Sequence, residues 1–456
     1  MLLKVAVKTF EWLESRRRTS IVIGLALVLL AALVGWNYYD VMWWIEWDSI
    51  ASRYGVFSVY THCIPPLCKA PYPPLAILLF LASYRVASPL ASLSLWISML
   101  ILKTLLVILP GLAIYAMLGR YVGRLGAILW LFSLPFLQLV LALQFDVVLA
   151  LLLLSSAIAF VKRRYLLSGL FIGLAMLVKQ SAWVALPILF IAVIASERKR
   201  VLNFLTGLVT ALAIAIPFVI QNPAAFLYNV LVFHAMRVPQ DLSLWALPTH
   251  ILGQYVARLW MLRSAWIVPF LACYTALLIY VWRKRLWMKR GGVMIAMSLA
   301  LLLLIVFGKI GNLNYLVWPL PLAIAGLLPV DRRRCIAIST MFSLAVIAAQ
   351  IPYITLLYLV PAILNKPVFV AEDLSFWPSR VIVDFSLNSN IAETPIVKLM
   401  NASEKVVMNA INKTVKHVVS ELYTVRGMVM AFIAVVAQAI LTATTVLLVR
   451  YSSSYS

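Results

Sequence analysis

Apolar runs of roughly 16 to 25 residues, each closed by a short basic or polar cluster, recur along most of the chain. About 20 apolar residues are needed to cross a hydrocarbon layer, so each run predicts a membrane-spanning helix. The runs lie near 20–37, 94–118, 125–142, 146–161, 165–180, 182–196, 201–220, 264–282, 293–308, 313–329, 335–351 and 426–449. Threaded in alternation, they put Arg16 to Arg18, Arg120 with Arg124, Lys162 to Arg164, Arg198 to Arg200, Arg283 to Arg285 with Lys289 and Arg290, and Arg332 to Arg334 on one side. That is the charge asymmetry of a cytosolic face. The piece from Leu75 to Val86 is apolar too, but if it crossed, every later basic cluster would change sides. It is therefore expected to dip into, or lie against, the outer leaflet.

With that threading the polar residues of otherwise apolar hairpins gather on the outer face. They are a first outer loop over 38–93, the turns at Gln144 to Asp146 and at Lys179-Gln180, a longer loop from about Gln221 to Arg263, and Gly308 to Asn314. The loop segment from Asp40 to Pro74 is polar, aromatic and punctuated by proline. Its unpaired backbone groups would be costly in lipid, which holds it at a membrane surface. The chain thus divides into a transmembrane module over 1–365, a polar extramembrane segment over 366–424, and a final helix with a short tail over 425–456. An amphipathic pattern through Ile396, Val397, Met400, Val406, Val407, Ile411, Val415, Val418 and Val419 predicts a helix in the second. The same segment carries two acceptor sequons, at Asn401 and Asn412.

Composition narrows the class. The chain is 64% hydrophobic and 12% charged, which excludes a soluble domain and defines an all-α polytopic membrane protein of about 12 spans. Its net charge of +23 would suggest nucleic acid in a soluble protein. Here the Lys and Arg fall in the short runs between spans, so the charge is an orientation signal and no nucleic-acid partner is implied. The first apolar run, Ile21 to Gly35, has no small-residue cleavage site and is expected to be retained. Of the four cysteines, Cys273 and Cys335 lie in or beside spans as packing. Cys63 and Cys68 bracket Pro65-Pro66, spaced as a disulfide or a pair of free thiols rather than as a metal site.

Ionisable groups at the ends of spans are costly unless they face a cavity or a partner. Asp146 in LQFD and Lys179 in LVKQ are such groups, either as functional residues or as paired termini. Asp40 follows the first span among Trp36, Tyr38, Tyr39, Trp43, Trp44 and Trp47, rings expected to form an aromatic belt at the interface. A carboxylate held there is poorly solvated and suited to general-base work. Asp48 and Glu46 compete for that role. Arg237, in FHAMRVPQDLSLWALPTH, can contact phosphate in bidentate fashion, with Trp245 as a stacking surface. There is no phosphate-binding glycine loop, HExxH motif or nucleophile triad, which argues against a soluble nucleotide donor.

Asp40 with Trp47, then Gly55, Phe57 and Tyr60, then PYPPL from Pro71 to Leu75, resembles the first outer loop of the GT-C glycosyltransferases. The closest likeness is to the branch that uses dolichyl-phosphate glucose or mannose and to related polyprenyl-phosphate-hexose enzymes. The resemblance continues through Gln144-Phe145-Asp146, Gly173 to Pro187 and Arg237 to Trp245, more weakly through Asn312 to Pro321, and covers roughly residues 20–330. It implies transfer of a hexose from a polyprenyl phosphate to a hydroxyl of a lipid-linked acceptor, with inversion, on the non-cytosolic face. By the same likeness Asp40 is the general base, with Asp48 as runner-up. Lys179 and Arg237 neutralise the departing phosphate, and Gln144, Asp146, Gln180 and Tyr72 position sugar or phosphate. No metal and no other cofactor are implied. Where many relatives carry histidine and an acid, this chain has GNLNYL, so that contact is expected to be absent or supplied otherwise, with Lys309 and Asn314 as candidates. A transporter or flippase of lipid-linked sugars is the alternative, but it calls for internal repeats and broken spans that the sequence lacks.

Overall fold

The computed structural model describes residues 2–34, 38–63, 68–236, 240–246, 264–354, 368–370, 382–384 and 426–453. Arg237, both sequons and the amphipathic pattern of 396–419 lie outside these residues. The chain is an all-α polytopic membrane protein. Among the described residues strands occur only as two short ladders, Gln240–Asp241 parallel to Ile310–Gly311 and Val368–Val370 antiparallel to Ile382–Asp384.

Helix α1 (Leu2–Ser15) was not foreseen: it is too polar to be a span. It packs on α8 (Arg124–Leu131) and on a long helix, Arg332–Ile354, through Glu14, which pairs with Arg332 and whose carbonyl accepts from Arg124. These contacts mark the basic end of the bundle. Helix α2 (Arg17–Val34) runs from that end to α3 (Tyr38–Tyr54), the long helix of the first outer loop. A one-turn helix, α4 (Val59–His62), leads on to α5 (Pro74–Ala87). Pro73 and Pro74 hold the extended entry and first turn of α5, where a missing N–H costs nothing.

Helix α5 with the turn after it, Pro74–Ser92, is long and apolar enough to cross a membrane. Its two ends nonetheless lie at the same end of the bundle. Pro74 adjoins the Pro71 carbonyl that Gln180 holds, and the Ala87 carbonyl accepts from Ser98. Ser98 lies near the start of a continuous helix, Trp96–Tyr121, that runs to the basic end at Arg120. This helix comprises α6 (Leu95–Lys103), a π-helical turn over Thr104–Ile108, and α7 (Leu109–Tyr121). Helices α8 and α9 (Leu134–Ala142) form one bent unit, turned by 45° where Ser133 and Pro135 interrupt the ladder.

The return helices α10 (Asp146–Val161) and α11 (Tyr165–Val178) are followed by an apolar helical stretch, Gln180–Gln221. It folds as a hairpin: α12 (Leu186–Glu197) descends to the basic end, where Glu197 pairs with Arg163, and α13 (Val201–Leu212) climbs back. Helix α13 lies alongside α11 with backbones in contact. A Cβ on Gly169 would stand 1.9 Å from the Phe204 carbonyl oxygen, and one on Gly207 would stand 2.0 Å from that of Leu166. Small residues serve this purpose between membrane helices, where close approach replaces the hydrophobic drive that lipid cannot supply.

Helix α14 (Ile216–Gln221) ends the apolar stretch, and the longer outer loop is helical over α15 (Pro223–Leu227) and α16 (Phe233–Met236). Four more helices complete the described bundle: α17 (Ile267–Arg283), α18 (Gly292–Phe307), α19 (Pro319–Leu327) and α20 (Arg332–Ile354). Helix α21 (Arg426–Ser453) packs on α18 and α20. Nearly every residue of α18 is buried, and it forms the centre of the core with Trp130, Trp318 and Phe136.

The glycine contact can be tested by a matched pair. Gly169→Ala forces α11 from α13 and is expected to cost about 1–3 kcal/mol or more. Gly119→Ala meets only the Ala127 methyl at 3.5 Å and, as a helical glycine replaced by alanine, should be neutral or stabilising by up to about 1 kcal/mol. Thermal unfolding midpoints in detergent check both.

Candidate active site

Asp40 lies in the first turn of α3, where the positive end of the helix dipole favours a carboxylate. Gln144 comes to it from 104 residues away, and its Nε2 donates to Asp40 Oδ2. Helix α9 ends at Leu143 in the left-handed region, φ 50°, a conformation that non-glycine residues seldom adopt and that releases Gln144 toward α3.

Behind this pair lies a buried ion pair. Asp146 opens α10 and Lys179 closes α11, each on an element end, and Lys179 Nζ donates to Asp146 Oδ1 at 2.7 Å. The Trp318 indole N–H donates to the same oxygen at 2.8 Å. The side chains are 1% and 7% exposed, so neither charge could persist there alone. The rings of Tyr315, Trp318 and Tyr72 surround the ammonium at 4.3, 4.9 and 5.5 Å, a cation–π cage. Asp146 Oδ2 is buried with no hydrogen-bond partner among the described residues.

These groups border a cleft of about 520 Å³, its open mouth included, walled by Asp40, Trp43, Trp44, Lys69, Pro71, Tyr72, Lys179, His234, Asn312, Asn314 and Tyr315. One wall is the extended segment 68–72, whose backbone is pinned almost residue by residue. Cys68 is bonded to Cys63 in a disulfide, which resolves that pair. The Lys69 carbonyl accepts from Trp47 Nε1 at 2.8 Å, and the Tyr72 carbonyl accepts from the Tyr60 hydroxyl at 2.6 Å. The Pro71 carbonyl accepts from Gln180 Nε2 at 2.8 Å, and His234 Nε2 lies 2.8 Å from it. The ledge thereby sets Lys69, whose ammonium lies 5.2 Å from the centre of the Trp43 ring, and Tyr72.

Of the residues expected from the sequence, Asp40, Tyr72 and Lys179 line the cleft, with Gln144 and Asp146 directly behind them. Gln180 spends its amide N–H groups on the Pro71 and Val230 carbonyls, fastening the ledge. Asp48 forms a partly exposed ion pair with Arg85 at 2.7 Å and is not a cleft wall. Nor is Glu46, whose carboxyl burial pushes up in pKa while Arg53 opposes the shift. Asn314 is a wall residue, whereas Lys309 is buried and donates to the Ala235 carbonyl. Trp245 is likewise half-buried, its indole N–H given to the Phe307 carbonyl. The expected aromatic belt is corrected: Trp43, Trp44 and Trp47 are 6%, 1% and 0% exposed. Trp44 and Trp47 pack against Tyr72, Phe80 and Phe145, and Trp43 lies beneath the Lys69 ammonium, so these three do not meet lipid headgroups. Trp36 and the Tyr38 and Tyr39 side chains lie outside the described residues.

Lys69, His234, Asn312 and Tyr315 were missed. Lys69 had one visible signal, its place immediately before the proline run, and His234 is one of only four histidines. Among the described residues no group of three or more His, Cys, Asp or Glu could hold a metal ion.

A membrane-embedded helical bundle with a carboxylate, a buried ion pair and aromatic walls gathered at one end has the features of a GT-C-type membrane glycosyltransferase. Comparison with family models agrees on the class. The chain belongs to glycosyltransferase family 87, whose model matches residues 71–308. That span includes Tyr72, Gln144, Asp146, Lys179, Gln180 and Arg237 and leaves Asp40 and Asn312 outside. None of the curated proteins compared with it matches the chain.

Removing one member of the buried pair should be far worse than removing both. Asp146→Leu strands the Lys179 charge and is expected to cost about 3–5 kcal/mol. Asp146→Leu with Lys179→Met leaves no charge to solvate and should recover most of that loss. Both are read as unfolding midpoints in detergent.

Proposed function

We propose that this glycosyltransferase moves a hexose from a polyprenyl (dolichyl) phosphate to a hydroxyl of a lipid-linked acceptor, with inversion at the anomeric carbon. The observation that carries the reading is the cleft itself: a carboxylate, two lysines and aromatic walls share one enclosure at the end of the bundle away from the basic clusters. Those clusters mark the cytosolic side, so the reaction is assigned to the non-cytosolic face.

Asp40 takes the proton of the acceptor hydroxyl. The acceptor oxygen attacks the anomeric carbon from the face opposite the phosphate. The bond from that carbon to the phosphate oxygen breaks, and its electron pair leaves on the polyprenyl phosphate. Negative charge therefore grows on the leaving group, where Lys179 and Lys69 stabilise it in surroundings that screen poorly. Arg237 has the same role by resemblance. The Gln144 amide orients Asp40, and Gln180 acts through the ledge, placing Tyr72 and Lys69. Trp43, Trp44, Tyr72 and Tyr315 supply flat apolar surfaces of the kind that sugar rings stack on.

Purified protein assayed against a panel of polyprenyl-phosphate sugars tests the donor class. Asp40→Asn should stay folded, with its unfolding midpoint little changed, and lose transfer by about 10²–10⁴-fold. Asp48→Asn removes only a surface ion pair, worth at most about 1 kcal/mol, and should keep activity. Full activity in Asp40→Asn would remove Asp40 from its role.

A further inference from the structure

Lys103 is a lysine within an apolar helix, in LILKTLL, and it is completely buried. A charged side chain inside a membrane span is costly and persists where it serves a purpose. Its surroundings show one. Nζ donates to the carbonyl of Ala32 at 2.8 Å and to that of Leu141 at 3.3 Å. Leu141 is in the last turn of α9, so its carbonyl is among those that a helix end leaves unsatisfied and lies at the negative pole of that helix. Ala32 belongs to α2, on the chain that leads to Asp40.

Each of those carbonyls precedes one partner of the Asp40–Gln144 hydrogen bond in the chain. Ala32 comes before Asp40 of α3, and Leu141 is followed by Leu143 and Gln144. One side chain therefore ties together the two backbone segments that deliver the two partners of that hydrogen bond. The helix carrying it widens to a π-helical turn over the next five residues, Thr104–Ile108. Such turns re-aim a helical residue and are frequent at functional sites.

We propose that Lys103 is a positioning residue: by bridging the Ala32 carbonyl of α2 and the Leu141 carbonyl of α9, it sets the orientation of Asp40 against Gln144. For catalysis the inference rests on the reaction proposed above; for geometry it does not.

Two measurements on Lys103→Met separate these. Hydrogen exchange by mass spectrometry should quicken in the segments around 30–41 and 139–147 and stay unchanged in α11 and α13. Turnover should fall about ten- to hundredfold with the donor KM within about twofold, and the loss should largely vanish in a Gln144→Ala background, since contacting residues couple where distant ones add. Unchanged exchange in both segments, a uniform rise over the whole chain, or additive effects with Gln144→Ala would each overturn the proposal. If Lys103→Met is not recovered folded, Lys103→Gln, which keeps an N–H donor but reaches less far, should quicken exchange in the same two segments to a smaller extent, and a rise spread over the whole chain or additivity with Gln144→Ala would overturn the proposal. Wild-type protein that transfers from no polyprenyl-phosphate sugar would sink the reaction instead, and the exchange measurement would then decide the role of Lys103 alone.

Discussion

The ion pair between Lys179 and Asp146 is the constraint that organises the site. Two opposite charges at 1% and 7% exposure are tolerable only while they touch, so the start of α10 and the end of α11 must stay in register. Trp318 donates to the same carboxylate oxygen and draws the start of α19 into the arrangement. A helical hairpin and a helix far along the chain are thus locked at one level, and the cleft opens beside that lock. Because Asp146 already balances Lys179, the proposed reaction would bring the donor phosphate to a cation whose place is set before the substrate arrives. Preorganisation of that kind is how fixed charges contribute most to catalysis.

The first outer loop is built to the same end by other means. Its helix α3 buries three tryptophans under α5, and the extended ledge from Cys68 to Tyr72 is held through its own carbonyls by Trp47, Tyr60, Gln180 and His234. A proline-rich segment has few N–H groups and exposes its carbonyls, so donors from neighbouring elements satisfy it and fix it together. The Cys63–Cys68 disulfide closes the head of this ledge, on the side of the bundle opposite the basic clusters.

The departures from expectation have a common origin. Trp43, Trp44 and Trp47 carry the composition of an interfacial belt, yet they are core residues because α5 folds back over them. Asp48 has the right residue type and a promising position, but Arg85 from α5 occupies it at the surface. Lys103 is hidden inside a run that otherwise reads as a plain span. In each case the deciding neighbour is distant in sequence: 37 residues separate Asp48 from Arg85 and 71 separate Lys103 from Ala32.

The all-α membrane class and the gathering of polar turns at one end were legible in the residues alone, because lipid imposes helix length, internal hydrogen bonding and charge asymmetry on any chain that crosses it. Asp40, Asp146 and Lys179 stood out for a related reason: ionisable groups at span ends are rare enough to be conspicuous. It took the packed bundle to establish which of them touch, that Asp48 stands apart, and that Lys69, His234 and Asn312 complete the cleft. Those are matters of helix rotation and close approach, which depend on where small residues such as Gly169 and Gly207 let backbones meet, and no local pattern encodes that geometry.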